Sequence, residues 1–290
     1  MDKSLLVRVF GFPATLIHGD LLVLDRWRYL RKRLPVTLNG EKLIDVGCGT
    51  GAFTIGAALR GYQAIGLSWD ERNQKVAQER ARLCGVPGTQ FPIQDVRNLD
   101  ERSEFARNFN VAICFENIEH ILDDRKLMKS ITYCLCPGGI LLLTTPNFFY
   151  RAISSSDNGP FARTEDGGHV RRGYTKAMLC ELCTDAGLVV EEITYCSGFF
   201  SQKITALMRV LGGGIFGWVP TLPLRILPII FDPLIAKVTG WPGFSICIRA
   251  YKPRFPREVA AAGCQARLAM HRGLFPTSVL PGVPSATSPI

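Results

Sequence analysis

The chain contains no uncharged apolar run of about 20 residues, which excludes a plain membrane-spanning helix. No small-residue cleavage site follows the short apolar stretch behind Met1-Asp2-Lys3, so the sequence reads as a chain kept in the cytoplasm. Cys180-x-x-Cys183 has zinc-knuckle spacing but lacks a nearby second pair and lies on a predicted helix, so it does not read as a metal site. The ten cysteines are scattered, with Cys114 and Cys247 inside apolar runs, the pattern of reduced core thiols and not of a disulfide framework. There is no internal repeat. No aromatic-interleaved basic stripe accompanies the net charge of +9, so nucleic acid is not the expected partner.

What is present bounds the answer further. With 290 residues, 47% of them hydrophobic, the chain can bury one sizeable core with appendages. The positive charge is gathered in two knots, Arg26, Arg28, Arg31, Lys32 and Arg33, then Arg163, Arg171 and Arg172. Such knots are ordinarily solvated faces; the economical functional alternative is attraction to anionic phosphate on a membrane or a substrate.

Residues 1–38 read as a helical segment, with Leu21, Leu22, Leu24, Trp27 and Leu30 at helical spacing. A strand-and-helix rhythm occupies 39–254. Strands are predicted at Lys42–Val46, Tyr62–Leu67, Gln90–Gln94 (weakened by Pro92), Val111–Phe115, Ile140–Thr144, Leu188–Tyr195 and Phe244–Tyr251. Helices lie between them; one opens at Ser68, where Ser68-x-x-Glu71 has the capping-box pattern, and one crosses Thr175–Ala186. The expectation is an α/β fold with a doubly wound, mostly parallel, seven-stranded Rossmann-like sheet. Residues 203–240 stand outside the rhythm as an apolar insertion rich in Gly and Pro, and 255–290 read as a loose tail.

The chemistry begins at Asp45-Val46-Gly47-Cys48-Gly49-Thr50-Gly51, where a strand ends in alternating glycines before a helix. Glycine lets backbone approach a ligand because no Cβ intervenes. Gly47-x-Gly49-x-x-Ala52 also satisfies a dinucleotide fingerprint, so an NAD(P)-dependent oxidoreductase has to be weighed. Three features oppose it. Asp45 is a carboxylate at the end of an apolar strand, where a ligand carrying ammonium or sulfonium charge suits it. Gly51 continues the alternation. Acidic residues recur at or just beyond later strand ends, at Asp70, Asp95 and Glu116, where open α/β sheets bind ligands.

The segment Leu43–Gly51 resembles motif I of class I S-adenosylmethionine (SAM) dependent methyltransferases. Gln94-Asp95-Val96-Arg97-Asn98-Leu99 resembles the adenine-side motif of that family, Phe115-Glu116-Asn117-Ile118-Glu119-His120 its strand-four signature, and Leu135-Cys136-Pro137-Gly138-Gly139 its turn into strand five. The likeness runs in order from about residue 40 to 252. It implies SAM as cofactor, Gly47, Gly49 and Gly51 beneath its methionine part with Asp45 and Cys48 in the same loop, Asp95 facing the adenine amine with Val96 beside it, and Glu116 at the same edge. The family usually has an acidic residue ending strand two, to hold the ribose hydroxyls. Here Ser68 stands at that place, so ribose falls to Ser68 or to Asp70.

Methyl transfer requires an acceptor aligned behind the methyl group and, for a hydroxyl, a base. His120, directly after the fourth predicted strand, and His169, in the loop Gly167–Tyr174 with Arg171 and Tyr174, are the candidates. Glu116-x-x-Glu119-His120 also resembles the acidic-acidic-His pattern of ubiquinone-biosynthesis O-methyltransferases; no metal is the primary reading, with Glu116, Glu119 and His120 as the alternative divalent-metal ligands. The expected activity is methyl transfer to an oxygen of a small-molecule, glycan-like or lipid-like acceptor; a catalytically silent SAM-fold partner subunit is the other class. Val210–Leu224 carries no charge, so the insertion is either a lid on the acceptor pocket or a peripheral membrane contact.

Overall fold

A computed structural model describes residues 4–17 and 21–255, so the tail expected over 255–290 lies outside the described residues apart from Phe255. One sheet organises the chain. Its strands are β1 (Lys42–Val46), β2 (Gln63–Leu67), β3 (Phe109–Phe115), β4 (Leu135–Pro146), β5 (Val189–Cys196) and β6 (Ser245–Tyr251), in spatial order β2-β1-β3-β4-β6-β5. The first four run parallel, and β6 lies antiparallel between β4 and β5. Both faces are covered, which is why the parallel strands are apolar without alternation. Leu43 joins Tyr29, Leu30 and Leu34 on one face, while its neighbour Ile44 joins the cluster of Leu127, Ile131 and Leu179 on the other.

The helices are α1 (Leu5–Phe10), α2 (Phe12–Ile17), α3 (Leu21–Arg33), α4 (Ala52–Ala58), α5 (Glu71–Leu83), α6 (Asp124–Cys134), α7 (Lys176–Asp185), α8 (Phe199–Val210), α9 (Gly214–Thr221) and α10 (Leu227–Thr239). Two expectations are corrected. The sheet has six strands among the described residues, because Gln90–Gln94 makes only isolated parallel bridges, Ile65 with Gln90 and Ser68 with Ile93. Pro92 brings no N–H to a ladder, and the buried Gln74 side chain links the two backbones instead, donating to the carbonyls of Gly66 (2.9 Å) and Pro92 (2.5 Å). The second correction concerns α5. Asp70, not Ser68, is its N-cap, accepting from the N–H groups of Arg72 (2.8 Å) and Asn73 (3.3 Å), while Ser68 Oγ accepts from Asp70 N–H.

The N-terminal helices are built into the domain. Tyr29 donates its buried hydroxyl to the Ile248 carbonyl of β6 at 2.7 Å, and Phe12 and Trp27 pack edge to face at 5.0 Å between ring centres. Gly56 of α4 makes room for them, since a Cβ there would lie 2.3 Å from Trp27 Cζ3 and 2.9 Å from Phe12 Cζ. The first basic knot largely dissolves into pairs: Arg26 with Glu116, Arg28 with Asp25, and Arg33 with Glu192 and over the Tyr29 ring.

The insertion begins at Phe199, a few residues before its expected edge. It folds as α8, α9, a 3-10 turn at Pro223–Ile226, and α10, the break between α8 and α9 falling at Gly212 and Gly213, both at positive φ. Helix α8 packs on α3. The Asp232 carboxylate of α10 accepts from the N–H groups of Phe200 (2.7 Å) and Ser201 (3.3 Å), compensating the partial positive charge at the start of α8.

The fit over Gly56 gives a test of this integration. Gly56→Leu is expected to displace the Trp27 ring and destabilise the whole domain by about 1–3 kcal/mol, the usual range for overpacking. A urea-unfolding midpoint equal to that of the parent would show that the N-terminal helices are only loosely attached.

Candidate active site

The carboxyl ends of β1, β2, β3 and β4 converge on one edge of the sheet. Chain order reverses between β1 and β3, so the crevice between them is the topological switch point where open α/β sheets hold ligands. The glycine loop from β1 to α4 occupies this place. Gly47 and Cys48 both donate their N–H to the Leu67 carbonyl of β2, and Arg80 of α5 donates to Thr50 Oγ1 at 2.7 Å. The loop is therefore held from beneath by two neighbouring elements.

Its three glycines serve different ends. All have positive φ. A Cβ on Gly47 would lie 2.4 Å from Asn117 Cγ, and one on Gly51 would lie 2.8 Å from the Ala77 methyl and the Phe91 ring. Those two are glycines for internal packing as well as backbone geometry. A Cβ on Gly49 would meet nothing within 4 Å, so Gly49 is the one whose bare backbone faces open space. Asp45 is only 1% exposed and accepts from Thr54 Oγ at 2.7 Å, so its donor partner comes from the first turns of α4. Burial pushes its carboxyl up to about 7, against the hydrogen bonds from Thr54. It supports the loop from behind. Cys48 likewise points inward, its thiol 3.3 Å from Gln74 Oε1.

The other expected cofactor residues line the same edge. Ser68 is buried at the end of β2 and Asp70 caps α5, as described above. Trp69, between them, was passed over in the sequence, yet it is 64% exposed and offers apolar surface to a planar ring. Its place directly after strand two was the available signal. Asp95 starts the 3-10 turn Val96–Glu101 and is bound by the Arg97 backbone N–H and guanidinium; the hydrogen bonding from Arg97 holds its carboxyl below the usual range, so it faces the site as an anion. Val96 beside it is buried in the core. A cleft of about 350 Å³ opens here, lined among others by Asp95, Asn98, Leu122 and Lys126. A larger one, about 720 Å³, lies at the opposite ends of β1 and β2 beside Lys42 and Gln63, far from the glycine loop along the strands.

Glu116, at the end of β3, has φ +47 and is bound to Arg26 of α3 at 3.0 Å, both side chains largely buried. The sequence expectation missed Arg26 as a site residue because its partner is distant in the chain. Glu119 is fully buried and accepts from Thr145 Oγ1 at 3.1 Å, while its Oε1 has no partner; burial, then the charge of Glu116, pushes its carboxyl well above the usual range. His120 donates Nδ1–H to the Gly168 carbonyl at 3.0 Å and meets His169 edge to face, 4.7 Å between ring centres. Ligand atoms of Glu119, His120 and His169 all lie within 4.8 Å of one another, whereas Glu116 turns to Arg26, so the trio that could hold a metal contains His169 in place of Glu116. The loop carrying His169 is pinned by Val170 N–H to the Glu119 carbonyl and by Arg171, which binds the Ile121 and Leu122 carbonyls and the Asp124 carboxylate. Arg171, expected at the substrate, therefore fixes the loop, and Tyr174 is buried with its hydroxyl on Asp124.

A sheet of this order with a bare glycine turn at its switch point defines a Rossmann-like enzyme fold. The chain belongs to the methyltransferase-domain family, whose sequence model matches residues 23–193. It is 33% identical over 156 residues to a ubiquinone biosynthesis O-methyltransferase of Leptothrix cholodnii, covering 52% of this chain and 65% of that one, just under two thirds of the relative's length. A protein of the same description from Marinobacter nauticus is 31% identical over 190 residues, 64% of this chain and 77% of that one. Among solved structures, the fold resembles a SAM-dependent methyltransferase from Mesorhizobium loti (TM-score 0.53, 18% identity, 81% and 99% of the two chains). It also resembles geranyl diphosphate C-methyltransferase from Streptomyces coelicolor (TM-score 0.52, 13% identity, 78% and 79%). The chain thus carries a methyltransferase domain with the fold of SAM-dependent methyltransferases. The site fits that cofactor: open space over Gly49, an anionic Asp95 and an exposed indole at Trp69 lie along one edge.

Two outcomes follow from the loop. Gly49→Val is expected to abolish SAM binding in isothermal calorimetry while circular dichroism stays that of a folded protein, because the side chain fills only ligand space. Normal affinity in a folded variant would remove Gly49 from the cofactor site. For Asp45, the folded-state carboxyl is raised above its unfolded value near 3.9, so ionisation on raising the pH costs the folded state stability between about pH 4 and 7. The melting temperature of Asp45→Asn relative to the parent should therefore rise across that window; a constant difference would mean that Asp45 is ionised in the fold throughout.

Proposed function

We propose that this methyltransferase acts on a hydroxyl oxygen of an apolar small molecule, a lipid-like acceptor of the kind implied by its similarity to ubiquinone biosynthesis O-methyltransferases. The observation that carries this reading is the His120–His169 pair. Because the Gly168 carbonyl can only accept, the neutral His120 ring keeps its proton on Nδ1 and presents Nε2 as a proton acceptor. His169 is pushed below its ordinary pKa by burial, then by His120, and so favours the neutral form. This pair would take the acceptor hydroxyl's proton, and the pinned 161–174 loop fixes the pair in place. The glycine loop would hold SAM, which when bound supplies an activated methyl group, the sulfonium–methyl bond breaking as the oxygen–methyl bond forms and S-adenosylhomocysteine leaving.

A second reading is favoured by the partnerless Oε1 of Glu119 beside the two imidazoles. These residues would hold a divalent cation, which when bound supplies Lewis acidity to the acceptor hydroxyl. Protein groups alone would then orient the acceptor and exclude water.

The test uses a hydroxylated ubiquinone precursor as first acceptor. His120→Ala is expected to lower kcat/KM by roughly 10²–10⁴-fold, the span for loss of a general base, with SAM affinity retained. Protonation of His169, which burial holds below the ordinary histidine value of about 6.5, should lower the parent's kcat/KM at acid pH. Full activity of both His120→Ala and His169→Ala would refute an imidazole base. Loss of activity on chelation with restoration by Mg²⁺ would select the metal-assisted variant.

A further inference from the structure

We propose that the outer face of α8, α9 and α10 docks on an anionic phospholipid surface. Nearly half of the exposed large apolar side chains among the described residues belong to this one insertion. Val210 is 82% exposed, Phe216 80% and Val238 74%, with Ile226, Ile230 and Leu234 exposed between them. Apolar surface gathered in this way marks an interaction site and not incidental exposure. No described helix is long and apolar enough to cross a membrane, so the helices would lie in the headgroup boundary.

Charge selects the partner. Between Phe199 and Gly240 the single acidic residue, Asp232, is buried and bound to the start of α8. Lys203 and Lys237 are exposed cations on the same segment, and Arg209, also exposed, pairs with Asp157 outside it at 3.8 Å. A face with cations and no available carboxylate complements anionic headgroups and offers a second copy of itself no counter-charge. Arg225 adds a separate observation. It is 7% exposed, its Nε and Nη1 have no partner, its guanidinium lies 5.1 Å from the centre of the Trp218 ring, and its Nη2 meets Met208 Sδ at 3.8 Å. The indole N–H of Trp218 is also without a partner. An uncompensated guanidinium inside an apolar bundle is costly, and a lipid phosphate would satisfy these donors. It sits on the short turn Pro223–Ile226 that joins α9 to α10. The end of α8 reaches the segment after β4, Arg209 donating to Ser154 Oγ, so the docked face adjoins the acceptor side.

The surface stands apart from the methyl-transfer chemistry and is tested without SAM or acceptor. In flotation at low salt the full chain should bind phosphatidylcholine vesicles containing phosphatidylglycerol several-fold better than phosphatidylcholine alone, with binding reduced by 0.5 M salt. The double variant Val210→Ser with Phe216→Ser should lose about tenfold in vesicle binding while its SAM affinity, the check on folding, is unchanged. Arg225→Met should show opposite signs in two measurements: a higher melting temperature in lipid-free solution and weaker binding to the anionic vesicles. Absence of a floating fraction at low salt, or undiminished binding of the double variant, overturns the proposal. So does Arg225→Met with unaltered binding. A dimer in solution that the double variant dissolves, with no vesicle binding by the parent, would instead assign the face to a second copy of the chain.

Discussion

The turn from β1 into α4 is the constraint around which the site is arranged. The chain must leave the sheet edge, reverse and start a helix while keeping one stretch of backbone bare. Positive φ at Gly47, Gly49 and Gly51 makes this possible, and packing against Asn117, Ala77 and Phe91 leaves no room for side chains at the first and third. The open position, Gly49, therefore sits between two that are closed by protein. Three contacts steady the loop from below: the Leu67 carbonyl, Thr54 on Asp45, and Arg80 on Thr50. Preorganisation of this kind means that ligand binding need not order the backbone.

A second principle runs through the acceptor side, where carboxylates are buried beside groups that can answer them. Arg26 crosses from α3 to Glu116, joining the N-terminal helix to the end of β3. Glu119, deeper, lacks such a cation and is held toward the neutral form. Of the two carboxylates, Glu116 has the guanidinium within ion-pair distance, while Glu119 has only the Thr145 hydroxyl. The positive charge that looks like a surface knot in the sequence is partly internal wiring, and a count of cations overstates what is available to attract a partner.

The insertion contrasts with the domain that carries it. The sheet buries its apolar residues on both faces, whereas α8–α10 use theirs only in part and leave the remainder outward. Polar anchoring by Asp232 and packing of α8 on α3 fix the insertion to the domain without requiring its outer face to be covered.

The sequence alone determined the fold class and located the glycine turn, because strand–glycine–helix order is a local pattern and parallel buried strands need continuous apolar runs. It also marked His120 and His169, the insertion, and most strand boundaries. It misjudged Gln90–Gln94, where strand-like residues fail to make a ladder because Pro92 lacks an N–H and Gln74 bridges the gap. It assigned the cap of α5 to Ser68, since the capping-box spacing is legible two residues before the Asp70 cap the helix uses. Only the tertiary structure decided which histidine meets which, that Glu116 belongs to Arg26 and not to a metal trio, and that Arg171 pins a loop. Each of those is a contact between residues far apart in the chain, fixed by how the helices cover the sheet, and no local pattern of residue types encodes a distance of that kind.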